Sequence, residues 1–177
     1  MFLLRKVPTA RLICGVMYNS DKVLQEAMDV LTKKYGPIKS TGPLFPLSYT
    51  KYYNDEMGDS IMRTYYTFEK IIRHDQLANI KCFTNKLEKR LSTNGKRNIN
   101  LDPGYCELSR IVLASAKDFS HRIYIGKGIF AEVTLLYMNG TYNTLGWTYP
   151  DYKDENTIRY FNQVRQEYYN EIKAKEI

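Results

Sequence analysis

The sequence predicts an α+β protein in which strands and amphipathic helices alternate around one hydrophobic core. The 177 residues are enough for one such core. Apolar residues make up 44% and charged residues 25%, the balance of a globular protein rather than a disordered chain. No repeat and no long linker interrupts the succession of elements. We therefore expect residues 1–177 to form a single α+β domain.

The first six predicted elements follow the order β-α-β-β-α-β, which is a split βαβ (ferredoxin-like) order. Residues 10–18 form a short apolar run typical of a buried strand. Asn19-Ser20-Asp21 offers an N-cap, after which Leu24, Ala27, Leu31 and Tyr35 recur at helical spacing. Gly36-Pro37 is a common helix stop. The other four predicted elements are strands Leu44–Thr50 and Arg63–Phe68, a helix from Asp75 to Leu91, and strand Arg97–Leu101.

The second half predicts a helix, an antiparallel meander and a C-terminal helix. Asp102-Pro103 is typical of an N-cap followed by proline at the first helical position, and Leu108, Ile111 and Val112 continue at helical spacing. Asn139-Gly140 is typical of a type I′ hairpin turn. The remaining predicted elements are strands His121–Ile125 and Ile129–Tyr137 and a helix that begins at Asp154.

Several sequence features predict a cytoplasmic protein. No apolar run approaches the roughly 18–20 residues of a membrane span, and the start Met1–Lys6 has the wrong order for a secretory signal. The three cysteines are an odd number without C-x-x-C spacing. We therefore expect neither a disulfide framework nor a cysteine zinc site.

The positive charge is concentrated in the middle of the chain. Residues 61–130 contain 13 Lys and Arg against 6 Asp and Glu, so this segment holds an excess equal to the whole net charge of +7. A basic region attracts phosphate-bearing partners such as a nucleotide or RNA. A solvated charged face is the other interpretation.

The segment Asn100–Tyr105 is the first candidate site. The free amides of a helix that begins at Asp102 would favour an anion, and Gly104 would let a ligand approach the backbone. Asn100 and Tyr105 could contact polar groups of that ligand. Alternatively, Asp102 is simply the helix cap.

A second candidate is an acid–base or metal constellation of Asp102, His121 and Glu132. Histidine titrates near neutral pH and suits proton transfer. Lys117 and Arg122 flank His121 and could bind an anionic substrate. The alternative is that His121 is a surface histidine and Glu132 faces solvent.

Two aromatic segments could line a pocket for a base, a sugar or another planar ligand. One is Ser48–Gly58, with several tyrosines. The other is Trp147–Tyr152, in which Trp147 and Tyr149 could stack and Asp151 supplies a carboxylate. Alternatively, the aromatic side chains of such loops pack against the core and hold the loop in place without binding a ligand.

The chain resembles a bacterial family catalogued only as a domain of unknown function (number 4416), whose members are often labelled "GTP-binding protein". The resemblance rests on Arg11–Met17, Tyr52–Gly58, Thr84–Glu88, Asn100–Tyr105, His121–Gly126, Ala131–Leu135 and Trp147–Tyr152. It implies a shared fold over nearly the whole chain and brings no established activity.

The parts of a classical GTPase are missing from the sequence. There is no G-x-x-x-x-G-K-[ST] phosphate loop, and Asn85–Glu88 only approximates the guanine-reading N-K-x-D element. Three hypotheses follow. The first is a binding protein for a nucleotide or RNA without a GTPase mechanism. The second is a hydrolase or transferase that uses Asp102, His121 and Glu132, with or without a metal ion. The third is a scaffold or regulatory interaction protein. The sequence names no cofactor.

Overall fold

A computed structural model describes residues 7–47, 54–58 and 60–175 of the chain. The strands are β1 (Thr9–Tyr18), β2 (Ile38–Thr41), β3 (Phe45–Pro46), β4 (Met62–Arg73), β5 (Ile99–Cys106), β6 (Arg110–Ser115), β7 (Ile123–Gly126), β8 (Ile129–Met138) and β9 (Thr141–Thr144). The helices are α1 (Asp21–Tyr35), α2 (Asn54–Met57), α3 (Leu77–Arg90), α4 (Pro150–Lys153) and α5 (Glu155–Lys175).

The nine described strands form one antiparallel sheet in the order β2-β4-β1-β5-β6-β8-β7, with β3 beside β4 and β9 beside β8. The part β2-β4-β1-β5, with α1 and α3 as the connecting helices, is the predicted split βαβ unit. The α+β fold class is thus confirmed.

Helices cover both faces of this sheet, because the side chains of a strand alternate between its two sides. Leu12 and Val16 of β1 belong to a core with α1 and α3. Ile13, one position away, belongs to a second core with Tyr152 of α4 and Phe161 of α5. The result is three layers, helix–sheet–helix.

Local sequence signals set several element ends as predicted. Ser20 caps α1, and Gly36 ends it with φ 84°. Asn139 and Gly140, with φ 55° and 83°, turn β8 into β9. The Asp154 carboxylate accepts hydrogen bonds from the Asn156 and Thr157 amides at 2.9 and 3.2 Å, which fixes the start of α5.

The prediction of a helix that begins at Asp102-Pro103 is wrong. Asp102 and Pro103 lie inside β5, and Leu108, Ile111 and Val112 belong to the turn and strand that follow. The run Ile111–Ala114 is buried throughout. A strand covered on both faces has no polar alternation, so its apolar positions also match helical spacing.

The second strand of the split βαβ unit also differs from the prediction. It begins as β2 (Ile38–Thr41), inside a segment expected to be irregular, and β3 covers only Phe45–Pro46 of the predicted strand Leu44–Thr50. Residues 48–50 of that strand, and residues 48–53 of the aromatic segment Ser48–Gly58, lie outside the described residues. The helix expected at Asp75 begins as a 3-10 turn (His74–Gln76) and continues as α3.

Within the described ranges, no helix combines the length and the apolar character that crossing a membrane requires. Cys14, Cys82 and Cys106 are all free thiols.

Candidate functional site

The sheet splits between β5 and β6. These strands pair only where Gly104–Cys106 meets Ile111–Leu113. Before Gly104, β5 continues along β1 alone; after Leu113, β6 continues along β8 alone. A wedge therefore opens between the start of β5 and the end of β6.

Two buried side chains of α3 take the place of β6 at this opening. The Leu101 amide donates to Glu88 Oε1 at 2.7 Å, and the Leu101 carbonyl accepts from Lys81 Nζ at 2.7 Å. The backbone groups that a neighbouring strand would satisfy are thus satisfied by a carboxylate and an ammonium. The split is built into the sequence of α3.

Pro103 fits this arrangement. Residues two apart in a strand turn their backbone amides to the same side, and the Leu101 amide faces away from β1. The Pro103 nitrogen therefore faces the split, where no strand needs its missing hydrogen. This explains how proline is accommodated in a strand that is internal to the sheet.

The split contains a pocket of about 630 Å³, within the usual range for small-ligand sites. One wall comes from β5 and β4, the opposite wall from the end of β6 and residues 116–119 after it, and Tyr149–Asp151 completes the lining. Of the described residues in the lining, four are cationic, Arg63, Arg97, Lys117 and Arg122. Four are anionic, Asp102, Asp118, Glu132 and Asp151.

Asp102 is the centre of the first wall. Its Oδ2 accepts from Asn100 Nδ2 at 2.8 Å and from Arg63 Nη1 at 3.2 Å, and its Oδ1 lies 3.6 Å from Lys81 Nζ. Burial would raise the pKa of Asp102, but Lys81 and Arg63 outweigh it and lower the pKa below its ordinary value. The side chain is 28% exposed, so an ionised carboxylate is open to the pocket.

Arg63 fixes this wall from behind. Its Nε lies 2.8 Å from Asp151 Oδ2, which also accepts from the Tyr65 hydroxyl at 3.0 Å. Burial alone would lower the pKa of Arg63, but Asp151 and its other neighbours raise it well above the ordinary value, so the guanidinium stays charged. Gly15 makes the space, because a Cβ there would lie 2.6 Å from Arg63 Nη2.

Arg97 extends the first wall towards α2. It makes a two-pronged ion pair with Glu56 at 2.7 and 2.6 Å and donates to Asn100 Oδ1 at 2.8 Å. The hydrogen bond from Arg97 lowers the pKa of Glu56. The chain Glu56–Arg97–Asn100–Asp102 therefore holds the wall in one geometry.

Glu132 and Arg122 form the opposite wall. Buried Glu132 of β8 binds Arg122 Nε at 2.8 Å, His121 Nε2 at 3.1 Å and the Thr134 hydroxyl at 3.1 Å. Arg122 also donates to the Tyr149 hydroxyl at 2.7 Å. Each side chain is held by several partners, which makes this wall rigid as well.

Aromatic rings surround His121. Its ring stacks on Trp147 with centroids 5.0 Å apart and an interplanar angle of 11°, and Phe119 lies 5.4 Å away. Trp147 Nε1 donates to the Val133 carbonyl at 2.8 Å. Phe119 itself lines the pocket and is 64% exposed, so its ring is available for stacking at the rim.

Most of the sequence-predicted site residues converge on this pocket. Those that line it are Asn100, Asp102, Lys117, Arg122, Glu132, Tyr149 and Asp151. His121 and Trp147 lie directly behind Glu132 rather than in the lining. The structure thus brings together four separate segments of the sequence, 100–102, 117–122, residue 132 and 149–151.

Gly104 and Tyr105 lie elsewhere. Gly104 is packed against β6, where a Cβ would lie 2.3 Å from the Val112 carbonyl oxygen. Tyr105 points to the α3 side and stacks on His74 with centroids 4.2 Å apart. Because Asp102 begins no helix, there are also no free helix amides here. The predicted anion site on a helix N-terminus is therefore wrong.

Sequence reasoning missed four charged residues that build the site: Arg63, Lys81, Glu88 and Arg97. Only Lys81 and Glu88 were detectable in the sequence. They are two helical turns apart on the apolar face of a predicted helix, where charged residues are unexpected. Arg63 and Arg97 lie at the start of predicted strands and look like ordinary polar ends.

Among the described residues, no group of three His, Cys, Asp or Glu side chains lies close enough together to hold a metal ion. The pocket carboxylates are instead matched by cations, as Asp102 is by Arg63 and Glu132 by Arg122. The chemistry offered to a ligand is hydrogen bonding and charge.

The fold and site define an α+β protein with a ligand-sized pocket in a split antiparallel sheet. Residues 8–168 match the model of a family described as "Domain of unknown function (DUF4416)". The match covers most of the chain, and the protein belongs to this family. The comparisons found no matching curated protein and no matching solved structure.

Proposed function

We propose that this protein binds a small phosphate-bearing ligand of nucleotide size in the split-sheet pocket, without a classical GTPase mechanism. The observation that carries the proposal is Asp102, a carboxylate that Lys81 and Arg63 keep ionised and that remains open to the pocket. A carboxylate in this state only accepts hydrogen bonds. It suits the paired hydroxyls of a ribose.

Burying so many charges is costly, and this supports a functional role for the pocket. Arg63, Glu132 and Asp151 are each at most 5% exposed. Ion pairs of this kind contribute little net stability compared with apolar packing. Perturbed, buried charges gathered around a cleft are typical of functional sites.

The charge balance limits the ligand to a small negative charge. With four cations and four anions among the described lining residues, this part of the pocket has no positive excess to neutralise a triphosphate. A nucleoside monophosphate fits better, with its diol on Asp102, its base on Phe119 and its single phosphate near Lys117.

The three unpaired cysteines fit a reducing compartment, and we propose a cytoplasmic location for the protein.

Calorimetric titration with nucleosides and their mono- and triphosphates tests the binding proposal. We expect monophosphates to bind most tightly and Asp102→Asn to weaken binding at least tenfold. Asp29→Asn is the matched control, since Asp29 is an exposed aspartate of α1 that does not line the pocket. Equal affinity in the two variants, or no binding by the whole panel, would contradict the proposal.

A hydrolase or transferase is the second candidate, and the contact of 3.1 Å between His121 Nε2 and Glu132 Oε2 favours it. Because Glu132 lines the pocket and His121 lies behind it, Glu132 would exchange the proton with the ligand and His121 would relay it. If the protein turns over its ligand, His121→Ala should abolish product formation and leave ligand affinity within about threefold of the original. A wild-type protein that binds the ligand but leaves it chemically unchanged would exclude this candidate.

A further inference from the structure

A strip of positive charge follows the outer side of α3 and the turn after it. Lys86, Lys89, Arg90 and Lys96 are all exposed. None makes an ion pair or hydrogen bond through its side chain to another residue of the described ranges. The one acidic residue between positions 76 and 100, Glu88, is buried and bound to Leu101. The charge of this strip is therefore uncompensated.

Several arginines elsewhere in the fold are paired with carboxylates. Arg11 is bonded to Glu171, Arg63 to Asp102 and Asp151, and Arg122 to Glu132. These cations are compensated locally, whereas the strip gathers four cations of the basic segment 61–130 that have no carboxylate partner among the described residues.

A groove continues the strip at the other end of α3. It has a volume of about 320 Å³, and Lys34, Lys70, Gln76, Asn79 and Phe83 contribute to its lining. Asn79 and Phe83 precede Lys86 and Arg90 at the spacing of one helix face. Lys34 Nζ lies 4.3 Å from the centroid of the Phe83 ring, so cation and ring are presented together.

We propose that this α3 basic surface, made of the strip and the groove, binds single-stranded nucleic acid. The four strip cations would contact backbone phosphates. The groove offers a base the part-exposed Phe83 ring, with Lys34 over one face, and the side-chain NH2 groups of Gln76 and Asn79. The oxygens of these two amides already accept from the Arg73 amide and from Lys127. This surface lies across the sheet from the split-sheet pocket, and its function does not depend on that of the pocket.

An anionic membrane would also attract the strip but fits the surface less well. Amphipathic membrane-binding faces add large apolar side chains to the basic ones. The exposed large hydrophobic residues of the described chain, such as Phe119, Ile123 and Met138, lie outside residues 70–97. The groove also contains amides, which lipid headgroups do not need.

Fluorescence anisotropy with a labelled single-stranded RNA of about twelve nucleotides, between about 50 and 200 mM salt, tests the proposal. The decisive variant is Lys86→Gln, Lys89→Gln and Arg90→Gln together. Its matched control is Lys153→Gln, Arg159→Gln and Lys173→Gln, which removes the same residue types from exposed positions on α4 and α5. Circular dichroism checks that both variants fold.

We expect the α3 variant to reduce the slope of log K against log salt by about 2, since each phosphate contact to a single strand contributes roughly 0.7. The α4–α5 control should keep the original slope. Phe83→Leu keeps an apolar side chain but removes the ring, and should weaken binding roughly tenfold with the slope unchanged.

Three results would overturn the proposal. One is the absence of RNA binding at low salt, and another is an equal change of slope in the two triple variants. The third is binding to phosphatidylserine vesicles, lost in the α3 variant, by a protein that ignores RNA. Tighter binding of single-stranded DNA than of RNA would support the surface and identify DNA as its partner.

Discussion

Replacing Lys81 by methionine removes the ammonium that helps to hold the sheet open. In the folded protein this group donates to the Leu101 carbonyl at 2.7 Å and lies 3.6 Å from Asp102 and 3.9 Å from Glu88. Methionine fills similar space but supplies neither charge nor donor. A carbonyl and two carboxylates lose a partner in the protein interior.

Removing one partner of a buried ion pair costs about 3 to 5 kcal/mol. We therefore expect Lys81→Met to lower the free energy of unfolding by about that amount at neutral pH. Urea denaturation measures the change. Lys86→Met, an exposed substitution in the same helix, is the matched control and should change stability by less than about 0.5 kcal/mol.

The loss should also depend on pH. Burial raises the pKa of Glu88 in the folded protein, and Lys81 opposes that rise. A raised carboxyl pKa means that ionisation destabilises the fold as the pH increases through it, and that this cost disappears at lower pH. Without Lys81 the pKa of Glu88 rises further. Each additional unit adds about 1.4 kcal/mol to the cost at high pH.

We therefore expect Lys81→Met to be more harmful at pH 8 than at pH 5. Glu88→Gln should remove this extra loss, so that the double variant is more stable at pH 8 than the sum of the single losses predicts. A Lys81→Met protein as stable as the Lys86→Met control, with no pH dependence, would refute the claim that Lys81 replaces a strand.

Four further substitutions test how the pocket walls and the fold around them are built. Alanine at Gly104 places Cβ 2.3 Å from a backbone oxygen of β6, whereas alanine at Gly15 meets the movable end of the Arg63 side chain at 2.6 Å. Urea denaturation should therefore show a loss of about 3 kcal/mol for Gly104→Ala and of about 1 kcal/mol for Gly15→Ala. Equal losses in the two variants would contradict this. Glu132→Gln removes the carboxylate charge that faces His121 and Arg122. The substitution should lower the free energy of unfolding by about 3 kcal/mol. An unchanged stability would show that the wall does not need this charge. Asp154→Ala removes the cap of α5 and should cost about 1 kcal/mol, seen as a lower melting temperature, with Asp154→Asn restoring most of it.

The sequence predicted the elements whose ends carry their own signals. Ser20 and Gly36 bound α1, Asp154 begins α5, and Asn139-Gly140 turns the last hairpin. These signals are local, so they act the same way whatever the rest of the chain does. In the first half, such signals and the apolar periodicity of the segments together predicted the βαββαβ order.

The sequence did not predict the hairpin of β5 and β6, and the reason is physical. Asp102-Pro103 has the local chemistry of a helix start, but its real role depends on α3, whose Lys81 and Glu88 replace a strand beside it. A pairing decided by side chains from another element leaves no mark in the local pattern. The same holds for Arg63 and Arg97, whose partners are 39 and 41 residues away.

Convergence of the candidate residues was predictable only in part. Asp102, Glu132 and Asp151 stood out as carboxylates near turns or strand faces, and they line one pocket. Tyr105 was chosen because it lies beside the predicted helix start at Asp102, but its side chain faces the opposite side of the sheet. Its neighbour Gly104 is small because β6 is close, not because a ligand is.

The clamp that α3 places on Leu101 also restricts how this chain can change in length. Lys81 and Glu88 reach the carbonyl and the amide of one residue, Leu101, because they are two helical turns apart, so an inserted or deleted residue between them would rotate one by about 100° away from the sheet. The turn between α3 and β5 has no such requirement. Across the family, gaps should therefore be tolerated after Arg90 but absent between Lys81 and Glu88, even in relatives whose pocket residues differ.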